Sequence, residues 1–417
     1  MAFADPDTTM SQSVAPPIAM PTVRDPRLDF FRGIAMFIIL IAHTPGNWMT
    51  LWIPARFGFS DATEIFVFCS GMASAIAFGK SFEARGFAIG TARVGFRVWQ
   101  VYWAHIGLFF AVATTVVVLN AMFPDGDRNY VGQLNLWPFF KDTETNLVGL
   151  LTLTYVPNYF DILPMYMVVL AMMPLVILLK WVDLRLAIGF VFVVWFMAQG
   201  RILDLVGLEY LSFNLPAEPW SEREWFFNPF GWQLIFFTGF AFMSRWIPAP
   251  PVKVWLFALA VLIVLANIPL SNVGIREFGF GAVDEGQNWA RQWRIDNRIW
   301  ITKSDFGILR YVHFLALAYV AYVLVGPKGS RIMPSMATHI FAKGWRLILG
   351  IIMKVGQQSL AVFIGSMYVA RLLGATFDQI GRSYTTMIWV NMTGFAILIA
   401  IAYGAGWFKS QPWKKKV

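Results

Sequence analysis

The stretch Arg27-Leu28-Asp29-Phe30-Phe31-Arg32-Gly33-Ile34-Ala35-Met36-Phe37-Ile38-Ile39-Leu40-Ile41-Ala42-His43 opens the first long apolar run of a 417-residue chain. Ile34 to Ala42 contain no polar side chain. At roughly 1.5 Å per residue, a helix sets Arg32 and His43 about 16 Å apart. A cation then stands near one face of a bilayer and an ionisable ring lies well inside it. Ionisable groups are costly in hydrocarbon, so His43 is a functional candidate. A packing role, with the ring hydrogen-bonded to a neighbouring helix, stays open beside it.

The remainder of the chain repeats the pattern. It is 58% hydrophobic and only 14% charged, with a mean hydropathy of +0.58. Apolar runs fall at about 30–45, 61–79, 95–120, 160–180, 185–199, 226–244, 252–270, 308–325, 346–373 and 385–408. They predict an all-α polytopic membrane protein of about ten transmembrane helices. A shorter run near 146–158, containing Pro157, reads as a half-membrane segment. Residues 1–26 are expected to form a flexible cytoplasmic tail, 27–408 the transmembrane domain, and 409–417 a basic cytoplasmic tail. The single cysteine, Cys69, excludes an intrachain disulfide and any cysteine-based metal cage, and no metal is expected. The net charge of +9 does not point to nucleic acid, since no aromatic-basic stripe stands out in a soluble region. No P-loop, GxGxxG strand turn, heptad seam or internal repeat is evident, which weighs against nucleotide-driven transport.

With the N-terminus in the cytoplasm, most cations fall inside: Arg24, Arg27, Lys80, Arg85, Arg93, Arg97, Lys180, Arg185, Arg245, Lys253, Lys328, Arg331, Lys343, Arg346 and Lys414 to Lys416. Asp125, Asp127, Asp204, Glu209, Glu218, Glu222 and Glu224 fall outside. Ten spans with both termini inside satisfy the charge rule, apart from the basic loop near 271–307, which lies outside. In this scheme His43 and Glu64 reach similar depth on antiparallel neighbours. A carboxylate bonded to one ring nitrogen would fix the tautomer and leave the other as a base. Asp161, Tyr166, Gln233, Arg310 and His313 collect in the outer half and outline a polar, aromatic cavity, although each alone could be an interfacial anchor or cap. On the inner side Arg32, Lys80, Arg93 and Arg97 cluster around the first three spans, and His105 lies about 12 Å beyond Arg97, further into the third. Arg93 and Arg97, four apart, could grip phosphates or form an ordinary basic collar facing anionic lipid.

The run from Arg27 to Ala35 with His43 resembles the first-helix signature of the acyltransferase-3 superfamily, and Glu64-Ile65-Phe66-Val67-Phe68-Cys69-Ser70-Gly71 resembles its acidic-apolar-Ser-Gly pattern, with Glu64 where aspartate is usual. Arg97 with Tyr102 is similar to its third-helix arginine pattern, and Gln357-Gln358-Ser359-Leu360 to its late Ser-Leu motif. Ser366 occupies the place where many members carry a second histidine. Val98 to His105, Leu163 to Tyr166, Asn228 to Gln233 and Ser359 to Phe363 resemble the OpgC branch in particular. The resemblance implies an acyltransferase-3-like bundle in a bacterial inner membrane. It also implies succinyl-coenzyme A as cytoplasmic donor and a periplasmic glucan as acceptor, with acetyl-coenzyme A as an alternative donor.

Under that reading His43 acts as general base or as acyl-carrying nucleophile. The base is favoured, because no second histidine is clearly placed to activate the ring. Competing readings are an O-acetyltransferase of another extracytoplasmic glycan and a proton-coupled carrier of a glycan or lipid-linked sugar. Against transport, no inverted repeats or matched broken helices stand out. Membrane lipids are the expected surroundings, and a homo-oligomer is compatible with the apolar helix faces.

Overall fold

The computed structural model describes residues 25–124, 128–276, 279, 288–333 and 340–414. Residues 1–24, 415–417, Asp125 and Asp127 lie outside the described residues, as does part of the 271–307 loop. The chain is mostly helical, and among the described residues strand pairing is limited to one isolated bridge, Pro216 with Glu224. Eleven described helices have thirteen or more residues. They are α1 Pro26–His43, α2 Ala62–Ser74, α3 Lys80–Met122, α4 Ile162–Val182, α5 Leu184–Met197, α6 Pro229–Met243, α7 Val254–Ala266, α8 Ile308–Val325, α9 Ile340–Gln357, α10 Ser359–Ile380 and α11 Tyr384–Ser410.

Helix α1 begins where its sequence dictates. Asp25 caps the Arg27 N–H, and Pro26 occupies the first turn, where its missing N–H costs nothing. The helix stops at His43, with Pro45 two residues beyond. A π-helical turn, Ala75–Gly79, carries α2 on into residues 80–85, and the path breaks at Gly86, whose φ of +80° is non-helical, before the main part of α3 begins. The short run near 146–158 contains a ten-residue helix, Thr143–Thr152, ended by Leu153 in a left-handed conformation.

Five helical stretches are long and apolar enough to cross a membrane: α2 continued through α3, α4, α8, α10 and α11. Helices α5, α6 and α7 are apolar but shorter; at fourteen residues, α5 spans about 21 Å. The run expected as one span over 346–373 is instead two helices, α9 and α10, interrupted at Gln358. The physical reason is a change of face. Helix α9 carries Lys343, Arg346 and Lys354 opposite an apolar side, whereas α10 is apolar along most of its length.

Helix α6 is the hub. It is buried almost all round, with Trp232, Phe236 and Phe240 fully enclosed. Its closest neighbour is α2, and glycines permit that approach. A Cβ on Gly71 would strike the Phe236 carbonyl oxygen, and one on Gly239 the Phe68 carbonyl oxygen. Helix α9 is drawn onto the start of α1 in the same way, Gly33 against Ile352 and Gly356 against Asp29. Gly71→Ala is therefore expected to destabilise the protein by about 1–3 kcal/mol through overpacking. Gly95→Ala, where nothing stands within 4 Å, serves as the control. Thermal unfolding of the detergent-purified variants distinguishes them, and equal melting temperatures would remove Gly71 from the packing account.

Candidate active site

His43 is the last residue of α1 and is half-buried. Its Nδ1 lies 2.9 Å from the Ile39 carbonyl oxygen, one turn back. A carbonyl only accepts, so Nδ1 carries the proton and donates, and Nε2 keeps its lone pair. The helix's own backbone thus selects the tautomer. The ring stands edge-on to Tyr159, with centroids 5.6 Å apart. The Arg371 guanidinium lies over the Tyr159 ring at 3.9 Å and donates to the His43 carbonyl at 3.4 Å. Tyr159 has φ +88°, a strained conformation for a bulky residue, and its hydroxyl donates to the Met367 carbonyl.

Glu64 does not bond His43. It is completely enclosed and accepts from Arg310 Nε and, at 2.7 Å, from the Asp61 N–H. The expected pair is replaced because Asp61 and Glu64 form a capping box that turns the glutamate back onto the start of α2. Asp61 reciprocates by accepting from the Thr63 N–H at 2.7 Å. It also receives Lys303 Nζ at 2.6 Å and Arg310 Nη2 at 3.5 Å. Burial alone would raise the Asp61 pKa, but Lys303 and Arg310 outweigh it and hold the carboxyl well below its ordinary range. The fields of Lys303, Arg371 and Asp61 all reach His43, so the network and the ring are electrostatic neighbours.

His313 joins the same region. Its Nδ1 accepts from the Ser60 N–H at 3.3 Å and lies 2.7 Å from the Ser60 hydroxyl. Its Nε2 faces Gly58, where any Cβ would collide with the ring.

The other expected site residues are scattered by comparison. Arg32 donates to Ser359 at the start of α10, Arg93 to Ser81, and Arg97 to Gln100 at 3.1 Å. His105 is fully buried and neither ring nitrogen has a partner among the described residues. Asp161 is buried just ahead of α4, and one of its carboxylate oxygens has no partner among the described residues. Gln233 donates to the Val191 carbonyl at 2.7 Å, joining α6 to α5, and Tyr166 packs edge-on to Phe236. Ser366 donates to the Phe363 carbonyl one turn back. Sequence reasoning missed Asp61, Lys303, Tyr159 and Arg371. Two of these left a signal: the Asp61-x-x-Glu64 spacing of a capping box, and a lone arginine, Arg371, inside an otherwise apolar helix. Among the described residues, no group of three or more His, Cys, Asp or Glu side chains is placed to hold a metal ion.

Apolar helices around a buried charge network and a tautomerically fixed histidine define a membrane-embedded protein with the makings of acid–base chemistry. The family model described as "OpgC protein" matches residues 24–410, and the chain belongs to that family, which is one of acyltransferases. Comparison with curated proteins and with solved structures gave no match.

Stripping Arg310 leaves Glu64 enclosed without its cation. Arg310→Met is expected to destabilise the protein by about 3–5 kcal/mol, and adding Glu64→Gln in the same chain should restore much of it. Thermal unfolding of both variants checks this; a single variant as stable as the parent would show that the pair does not hold α8 to α2.

Proposed function

We propose that this protein moves a succinyl group from succinyl-coenzyme A, supplied on the cytoplasmic side, to a glucan hydroxyl on the outer side. The observation that carries this reading is His43, at the end of α1, with Nδ1 committed to Ile39 and Nε2 left with its lone pair. Family membership supports acyl transfer, and the signatures quoted above extend it to the acyltransferase-3 superfamily. Ten crossings are α1 to α8 with α10 and α11. The amphipathic α9 lies against the start of α1; leaving it out of the count keeps the number of crossings even, the arrangement that goes with both termini in the cytoplasm.

In the reaction, His43 Nε2 removes the proton of the acceptor hydroxyl as that oxygen attacks the thioester carbonyl. The tetrahedral intermediate collapses with loss of the carbon–sulfur bond. The imidazolium returns the proton to the departing thiolate, so the enzyme ends unchanged. Arg371, stacked on Tyr159 beside the imidazole, supplies positive potential where the oxyanion grows. The Asp61–Lys303–Arg310–Glu64 network fixes the start of α2 next to it rather than orienting the ring. Arg32, Arg93 and Arg97 are the cations on the donor side, with Arg93 and Arg97 at the coenzyme A phosphates. His105 is enclosed on all sides and has no part in this scheme.

Radiolabelled succinyl-coenzyme A and glucan with purified protein test the reading. His43→Ala should abolish product while leaving the melting temperature intact. Arg371→Gln should lower kcat by about 10²–10³, the usual effect of losing one oxyanion partner. Full activity of the His43 variant would refute the base. Arg93→Ala and Arg97→Ala should reduce thermal stabilisation by succinyl-coenzyme A, and unchanged stabilisation would leave them as collar residues.

A further inference from the structure

The 271–307 loop carries as many acids as cations, yet its five cations are gathered with Arg310 around one cavity. A cavity of about 610 Å³ is lined by six cations, Arg276, Arg291, Arg294, Arg298, Lys303 and Arg310, and by no carboxylate among the described residues. They form a gradient. Arg276, Arg291 and Arg298 are exposed, Arg294 and Lys303 are half-buried, and Arg310 is buried. The floor is already answered, since Asp61 takes Lys303 and Glu64 takes Arg310. The wall is not. Arg294 donates to the Leu270 carbonyl and lies over the Phe59 ring at 5.6 Å. Its pKa is lowered by burial and, next, by the Arg310 charge, the mark of like charges crowded together. Such crowding is unfavourable until an anion enters, and a cleft lined by one sign of charge concentrates ions of the other. The volume suits a ligand larger than a single carboxylate.

We infer that this cavity is an acceptor subsite for saccharides that already carry negative charge, namely carboxylates installed by earlier transfers. The inference rests on the succinyl-transfer reading above. Each turnover converts a neutral hydroxyl into a half-ester ending in a free carboxylate, so the product of one round gains the charge that the cavity attracts. Lys303 and Arg310 join the cavity floor to the network beside His43. In this reading, a glucan held at the wall by one succinyl group keeps its remaining hydroxyls on the side of the Lys303 charge that acts on His43. Substitution is self-reinforcing: modified acceptors are preferred over unmodified ones.

The test compares kcat/KM of the full-length protein on three acceptors: neutral glucan, the same glucan bearing chemically installed succinyl half-esters, and the same glucan bearing phosphate monoesters. The carboxylated acceptor should be favoured about tenfold at low salt, with the preference shrinking at high salt as exposed charges are screened. In Arg291→Gln/Arg298→Gln the ratio of carboxylated to neutral rates should fall toward one. Equal rates on neutral and carboxylated glucan in the unmodified protein would overturn the inference, as would a preference confined to the phosphorylated glucan. If no acceptor is modified at all, the transfer reading fails instead. The subsite is then decided by equilibrium binding of fluorescent carboxylated glucan: tighter binding than to the neutral form, lost in the double variant, supports it, and equal binding removes it.

Discussion

Four charges gathered between α2 and α8 set the conditions for everything near the site. Asp61 and Glu64 come from the first turn of one helix and its cap, Arg310 from another helix, and Lys303 from the loop before it. Taking such groups out of water is expensive, and their mutual attraction does little more than offset that loss. The network is thus better understood as a positional device than as a source of stability. Each member can be satisfied only where the others are, so the start of α2, the start of α8 and the loop between Thr302 and Gly307 are fixed in one arrangement. The glycine contact between α2 and α6 supplies the other constraint, holding the far part of α2 against the most enclosed helix of the bundle. Between those two restraints α2 has no freedom to slide.

That rigidity explains why Glu64 is not the orienting carboxylate of the histidine. A glutamate three residues after an N-cap aspartate is already employed in closing the helix start, and the arginine facing it takes its remaining capacity. The ring is aligned by something cheaper, a carbonyl four residues back on its own helix. Such a contact exists as soon as α1 folds and does not depend on the register of two helices. It leaves the carboxylates near His43 matched to Lys303 and Arg310, while Arg371, which makes no ion pair among the described residues, stands at the ring.

How far this was legible in the sequence depends on the reach of each interaction. Local ones were readable: the apolar stripe of α1, the cation and histidine at its two ends, the small residue at Gly71. The capping box was equally local, and its spacing was in view, but equal depth on antiparallel helices was mistaken for facing side chains. Arg310 lies 246 positions from Glu64, and no periodicity links residues so distant. The division of 346–373 escaped notice because no proline marks Gln358. What separates α9 from α10 is the distribution of lysine and arginine around the helix, a signal that average hydropathy erases. Arg371 was passed over for a related reason, since it fell at the end of that merged run.

The cations around the cavity extend the electrical logic of the buried charge network. Like charges gathered around one cavity repel one another, so their concentration there needs a compensating use. Two of the six cations are consumed in holding α2 and α8, and these are the deepest ones. The others form a graded approach to them. An anion drawn down that gradient arrives at groups whose own charges are already balanced, and is stopped there instead of entering the bundle. The same salt bridges that fix the helix ends, Asp61 with Lys303 and Glu64 with Arg310, therefore also form the floor of the proposed subsite.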